Sequence, residues 1–197
     1  MNNIRVKICC ISSVEESQLA ISNGASALGL VSAMPSGPGV ISEEKISEIV
    51  KNIPPPIASF LLTSKTKAEE IITQQKRLRA NTLQLVDAVD FDDYKKLRDE
   101  LPGISLVQVI HVVSEKSIDE AISVSTYVDA ILLDSGNPNL KVKELGGTGR
   151  THNWNISRKI RDAVSVPIFL AGGLNAENVR EAISVVQPFA VDICSGV

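Results

Sequence analysis

Short runs of Val, Ile, Leu and Ala alternate along the chain with longer stretches in which apolar residues recur every three or four positions. The first pattern is that of a strand buried on both faces, the second that of an amphipathic helix. Strands are predicted at Ile4 to Ile11, Ala27 to Val31, Ile57 to Thr63, Thr82 to Val86, Ser105 to Val113, Val128 to Leu133, Val166 to Ala171 and Phe189 to Cys194. Helices are predicted at Val14 to Asn23, Glu43 to Asn52, Ser64 to Arg79, Phe91 to Glu100, Ser117 to Val124, Asn155 to Val164 and Asn178 to Val185. The helix starts carry signals of their own. Ser13 with Glu16 reads as a capping box closed downstream by Gly24, and Ser42 precedes Glu43 and Glu44 in a first turn that favours negative charge.

Eight strands in strict alternation with seven helices argue for a parallel sheet with right-handed crossovers. An open doubly wound sheet and a closed barrel both meet that description. Eight βα units with short aliphatic strands favour a single (β/α)8 TIM barrel domain over residues 1–197, and no G-x-G-x-x-G follows the first strand. In a barrel the chemistry belongs at the carboxyl ends of the strands. That rim would carry Cys9 and Cys10, the Ala33 to Gly39 loop, Val86-Asp87, His111, Asp134, the Gly146 to Gly149 loop, Gly172-Gly173 and Ser195-Gly196.

Composition narrows the partners. With 197 residues and a net charge of −3, the chain has no basic footprint for nucleic acid. No apolar run is long enough to span a bilayer, and no signal-peptide pattern follows Met1, so the expected location is the cytoplasm. Cys9, Cys10 and Cys194 are an odd number without a C-x-x-C, which speaks against a disulfide framework and against a zinc site. Gly146-Gly147-Thr148-Gly149 follows a strand and leads into a helix, a place where backbone amides can converge on a phosphate; taken alone it is equally a flexible turn.

Several segments carry a family resemblance. Lys7-Ile8-Cys9 with Ile11-Ser12, Gly24 to Val31, Leu83-Gln84-Leu85 and Leu132-Leu133-Asp134 form its first half. Gly146-Gly147-Thr148-Gly149 with Trp154, Leu170 to Leu174, Asn178-Val179, and Val191-Asp192 with Ser195-Gly196-Val197 complete it. In order and spacing the chain resembles the phosphoribosylanthranilate isomerase family of tryptophan biosynthesis. The resemblance implies an Amadori rearrangement of N-(5-phosphoribosyl)anthranilate to the 1-deoxyribulose 5-phosphate aminoketose, with Cys9 as general base and Asp134 as general acid. It implies a phosphate held by Gly147, Thr148, Gly149, Gly172, Gly173, Ser195 and Gly196, with Lys7, Gln84 and Arg150 as further substrate contacts. The partner is then a small phosphoribosyl compound, and proton transfers suffice without cofactor or metal.

The chain also departs from that family's pattern. Cys10 replaces a glycine, Gly37-Pro38-Gly39 replaces Ser-Pro-Arg, and Val86-Asp87 replaces His-Gly. Gln108 replaces a lysine, and His152-Asn153 replaces Phe-Asp. The side chain of Cys10 is expected to point away from that of Cys9, outward against the helices. With no arginine at Gly39, Arg150 is the nearest cation by sequence for an anthranilate carboxylate. Two other readings stay open: a relative that binds a phosphorylated small molecule without turnover, and an isomerase of another aminoaldose. The family's final helix has no counterpart after Val197, which suggests wet apolar surface on the last strand and a homo-oligomer that covers it.

Overall fold

The computed structural model of the chain describes residues 4–196. Its strands are β1 (Arg5–Ile8), β2 (Ala27–Val31), β3 (Ala58–Thr63), β4 (Thr82–Leu85), β5 (Ser105–His111), β6 (Ala130–Asp134), β7 (Ile168–Leu170) and β8 (Ala190–Ile193). Between them run α1 (Val14–Ser22), α2 (Glu43–Asn52), α3 (Ala68–Leu78), α4 (Phe91–Glu100), α5 (Lys116–Ser125), α6 (Trp154–Ala163) and α7 (Val179–Val186). Every strand pairs in parallel with its sequence neighbours and β8 returns to β1, which closes the sheet into a barrel.

Closure explains why the strands read as unbroken apolar runs. One face of each meets the helices and the other meets the barrel axis. Leu28 and Leu30 of β2, Leu83 and Leu85 of β4, and Ile131 and Leu133 of β6 share a core with helix residues such as Ile46, Ile71 and Ala182. Val31, Phe60, Leu62, Val107, Leu132 and Phe169 form a second cluster. These are the alternate positions, and they fill the barrel.

The helix starts follow local chemistry. Ser13 Oγ accepts from the Glu16 amide at 3.1 Å and Ser42 Oγ from the Lys45 amide at 3.2 Å. The Glu16 carboxylate reaches back to Ser12, accepting from its amide and its hydroxyl at 2.7 Å each, so the capping box is displaced by one residue. Helix α3 starts at Ala68, not at Ser64. The Ser64 hydroxyl donates to the Ala33 carbonyl at 3.0 Å and the Lys65 amide donates to Thr63 Oγ1 at 3.3 Å, which holds that segment off the helix. Asp93, from α4, then accepts from the Ala68 amide at 3.2 Å and supplies the cap that Lys67 cannot.

Three expectations are corrected. Strand β1 stops at Ile8, and Cys10 has a left-handed backbone with φ 63°. Strand alternation therefore no longer governs its side chain, which packs with Cys9 and Met34 against the barrel-filling cluster and not outward on the helices. Gln108, which stands where the resemblance has a lysine, turns its side chain to α4, where Oε1 accepts from the Tyr94 hydroxyl at 2.5 Å. Last, β8 is not left wet. Val191 and Ile193 are 2% and 9% exposed within the shared core, which removes the motive for a homo-oligomer over that face.

Candidate active site

Cys9 directly follows β1, and its amide donates to the Ile193 carbonyl at 2.8 Å, which ties it to the end of β8. Its Sγ and the Lys7 Nζ crowd the same face of Gly29 on β2. They stand 2.8 and 3.0 Å from where a Cβ at Gly29 would be, so any side chain there would displace one or both. Lys7 is fully buried and donates from Nζ to Asp192 Oδ2 at 2.7 Å, across the register pair Lys7 and Asp192 of β1 and β8. Burial alone would lower the Lys7 ammonium. The charge of Asp192, helped by Cys9 and by the hydrogen bond, outweighs burial and holds it above its ordinary value. Burial pushes the Asp192 carboxyl the other way, toward neutrality, against the pull of Lys7. The ion pair prevails, because at 2.7 Å the ammonium donates directly to the carboxylate.

Asp134 ends β6, three steps from β1 round the ring through β7 and β8. Its Oδ1 accepts from the Ser135 amide at 2.8 Å, and its Oδ2 lies 2.9 Å from where a Cβ at Gly146 would be. The loop after β6 then folds back over the mouth. The hydroxyls of Ser135 and Thr148 are 2.6 Å apart, and Ser135 with His152 lies against Gly172 from β7. Ser135, Thr148, His152 and Gly172 thus meet where the loops after β6 and β7 come together.

A cavity of about 90 Å³ joins these groups, lined by Cys9, Cys10, Gln84, Asp134 and Asp192 together with Gly147, Thr148, Gly149, Gly172, Gly173 and Ser195. Two acceptors in it are buried without a partner, Gln84 Oε1 and Asp192 Oδ1. Such atoms are costly unless something arrives to donate to them. The roof comes from two loops. Ser36 donates to the Lys143 carbonyl at 2.6 Å, Gly37 faces the Gly146 carbonyl, and Pro38 lies against Gly147, whose φ is 65°.

Not every expected residue reaches the cavity. Arg150 turns its guanidinium to Glu144 and lies outside the lining. Gly196 packs against Leu174 and Asn175 and acts there as a spacer. Lys7 lies outside the lining, bonded to Asp192 and beside Cys9 at Gly29. Asp87 and His111 also stand back from the cavity: Asp87 binds Lys143 at 2.5 Å, and His111 Nε2 lies 3.1 Å from the Val86 carbonyl. In return the structure adds Asp192 and Cys194 to the lining. Asp192 has a sequence signal, a charge inside the apolar run Ala190 to Ile193, but its partner becomes visible only when β8 is known to pair with β1. Among the described residues no group of three or more His, Cys, Asp or Glu is arranged to hold a metal ion, and no helix is long and apolar enough to cross a membrane.

The whole chain, with this barrel fold, has known relatives. A family profile described as N-(5'phosphoribosyl)anthranilate (PRA) isomerase covers residues 6–197. The chain belongs to that family. A PRA isomerase from Methanocella arvoryzae is 35% identical over 193 residues, which cover 98% of this chain and 88% of the relative. The solved PRA isomerase from Thermotoga maritima superimposes with a TM-score of 0.83 at 32% identity, covering 98% of this chain and 89% of that one. Another PRA isomerase, solved in complex with reduced 1-(o-carboxyphenylamino)-1-deoxyribulose 5-phosphate, gives a TM-score of 0.80 at 30% identity, with 98% and 88% covered.

Proposed function

We infer that the chain is a PRA isomerase, which converts N-(5-phosphoribosyl)anthranilate to the aminoketose 1-(o-carboxyphenylamino)-1-deoxyribulose 5-phosphate in tryptophan biosynthesis. Family membership over nearly the whole chain disfavours the readings as a silent binding protein or as an isomerase of another aminoaldose. The observation that carries the assignment of roles is that Cys9 and Asp134 line one cavity, from strands on well-separated sides of the ring, together with Gly147, Thr148, Gly149, Gly172, Gly173 and Ser195.

In this assignment the substrate phosphate lies on the amides of Gly147, Gly149, Gly172 and Gly173 with the hydroxyls of Thr148 and Ser195, which anchors the sugar between the two reacting groups. Asp134 gives a proton to the ribose ring oxygen, and the ring opens to a protonated Schiff base. Cys9, as the thiolate, then takes the proton from the adjacent sugar carbon to leave the enolamine, which tautomerises to the aminoketone. The fully buried Lys7 keeps a positive charge next to that sulfur. Gln84 Oε1 and Asp192 Oδ1, the two unpartnered acceptors, are assigned to the sugar hydroxyls and the anthranilate amine. Every assigned group comes from one chain. Three free thiols suit a reducing compartment, and on that ground the cytoplasm is the assigned location.

The test is to mix the purified protein with freshly generated phosphoribosylanthranilate and follow the loss of its fluorescence. Cys9→Ser and Asp134→Asn should each lower kcat by about 10²- to 10⁴-fold, the range for removal of a general acid or base. Turnover indifferent to both substitutions would sink the mechanism.

A further inference from the structure

Two of the positions at which the chain departs from the family's pattern interlock. A Cβ at Gly39 would stand 2.5 Å from Cys10 Cβ and 2.8 Å from its Sγ, so the Cys10 side chain fills the space into which a side chain at position 39 would grow. The backbone at both residues is left-handed, with φ 63° at Cys10 and 77° at Gly39, and the Cys10 thiol lies 3.8 Å from the Pro38 carbonyl in the loop after β2. A long side chain at 39 therefore requires a smaller residue at 10.

The filled space belongs to one wall of the cavity. Cys10 follows β1, Val31 ends β2 and Leu62 comes from β3, while Met34 and Leu145 join them from the loops after β2 and β6. In the ring of eight strands β2 and β3 stand opposite β6 and β7, whose loops carry most of the groups assigned to the phosphate. A phosphorylated aminoaldose anchored there directs its aryl group toward this wall. The wall offers apolar surface and a thiol, and among the described residues no Lys, Arg or His lines the cavity. The nearby cations are engaged elsewhere: Lys7 with Asp192, Lys143 with Asp87 and Arg150 with Glu144.

We propose that this wall is the aryl subsite and that Cys10 sets its specificity: it grips the ring by apolar contact and not through the carboxylate. N-(5-phosphoribosyl)arylamines with a neutral ortho group are then substrates alongside the anthranilate compound. The proposal rests on the isomerase reading above, with the phosphate on the loops after β6, β7 and β8. A pocket that paired the carboxylate with a buried cation would leave that cation unpaired against a neutral ring, and would reject it strongly. An apolar wall has no such group to strand. The carboxylate of the anthranilate compound keeps its water at the cavity mouth, past the half-buried Met34.

The experiment has a binding arm and a turnover arm, both on the full chain. Calorimetry compares two unreactive ligands, reduced 1-(o-carboxyphenylamino)-1-deoxyribulose 5-phosphate and its o-carboxamide counterpart. Chromatographic separation of aldose from ketose gives kcat/KM for N-(5-phosphoribosyl)anthranilate and for the matching anthranilamide compound. In both arms the carboxylate and the carboxamide should agree within about tenfold. Met34→Lys, and Cys10→Gly combined with Gly39→Arg, each set a cation on the wall and should move the ratio toward the carboxylate by about 10- to 100-fold, the worth of a charge-assisted hydrogen bond. Gly39→Arg alone, with Cys10 in its way, should move it less. A preference of the unaltered protein for the carboxylate above about 100-fold, ratios that neither variant moves, or binding of neither ligand would each overturn the proposal. Similar binding of both ligands with turnover of neither substrate would leave the aryl subsite standing and remove only the isomerase reading.

Discussion

At His152 the glycine loop enters α6, and the imidazole is enclosed: Nε2 lies 2.7 Å from Ser157 Oγ, while Nδ1 is buried without a partner. Burial pushes its pKa down from 6.5 to about 4, against the pull of Asp134. The unfolded chain therefore binds a proton between those values that the folded chain refuses. Stability is fully present above about pH 6.5 and is lost as the pH falls toward about 4, by on the order of 3 kcal/mol at roughly 1.4 kcal/mol per pKa unit. His152→Phe, which restores the family's residue type, should flatten that part of the profile; urea unfolding measured from pH 4 to pH 7 checks it. An unchanged slope would mean that the imidazole is protonated in the fold. The sequence marked His152 as a departure, but its enclosure also involves Gly172, which follows a different strand.

Among the elements, the roof joins two loops that are distant in sequence. The loop after β2 and the loop after β6 meet through Ser36, Gly37 and Pro38 on one side and Lys143, Gly146 and Gly147 on the other. Gly147→Ala sets a Cβ against the Pro38 ring at a residue with φ 65°, where an L side chain costs about 1 kcal/mol before any clash. The loops should part, and kcat/KM should fall at least about tenfold, since roughly 1.4 kcal/mol of lost phosphate positioning is a factor of ten. Steady-state kinetics beside a thermal melt separates this from unfolding; unchanged kcat/KM would show that the amide of Gly147 does not hold the phosphate. The elements themselves were legible, since the bounds of β2, α2 and α4 agree with the pattern of apolar runs and caps. The errors lie where a long-range contact replaces a local one: Asp93 caps α3 from a different helix, and Cys10 ends β1 with a backbone that no periodicity encodes. The contact between the two loops has no local signal either, because the residues that make it are more than a hundred positions apart.

Across the molecule, Lys7 and Asp192 join the first strand to the last inside the ring, where both charged groups are buried. Lys7→Met should cost about 3–5 kcal/mol by leaving a buried carboxylate uncompensated. Lys7→Met combined with Asp192→Leu should recover most of it, and additive losses in urea unfolding would show that the two residues act separately. The candidate site was readable one residue at a time, Cys9, Asp134 and the glycines from their motifs, whereas the pairing that surrounds Cys9 required the barrel to close. Gly29 shows what this means for how such a site is stored in a genome. Cys9 and Lys7 occupy volume that any other residue on β2 would have claimed. Part of the instruction for placing the Cys9 sulfur is therefore written on a neighbouring strand as a missing side chain, and a catalogue of functional groups would pass over a position where any other amino acid would displace that sulfur or Lys7.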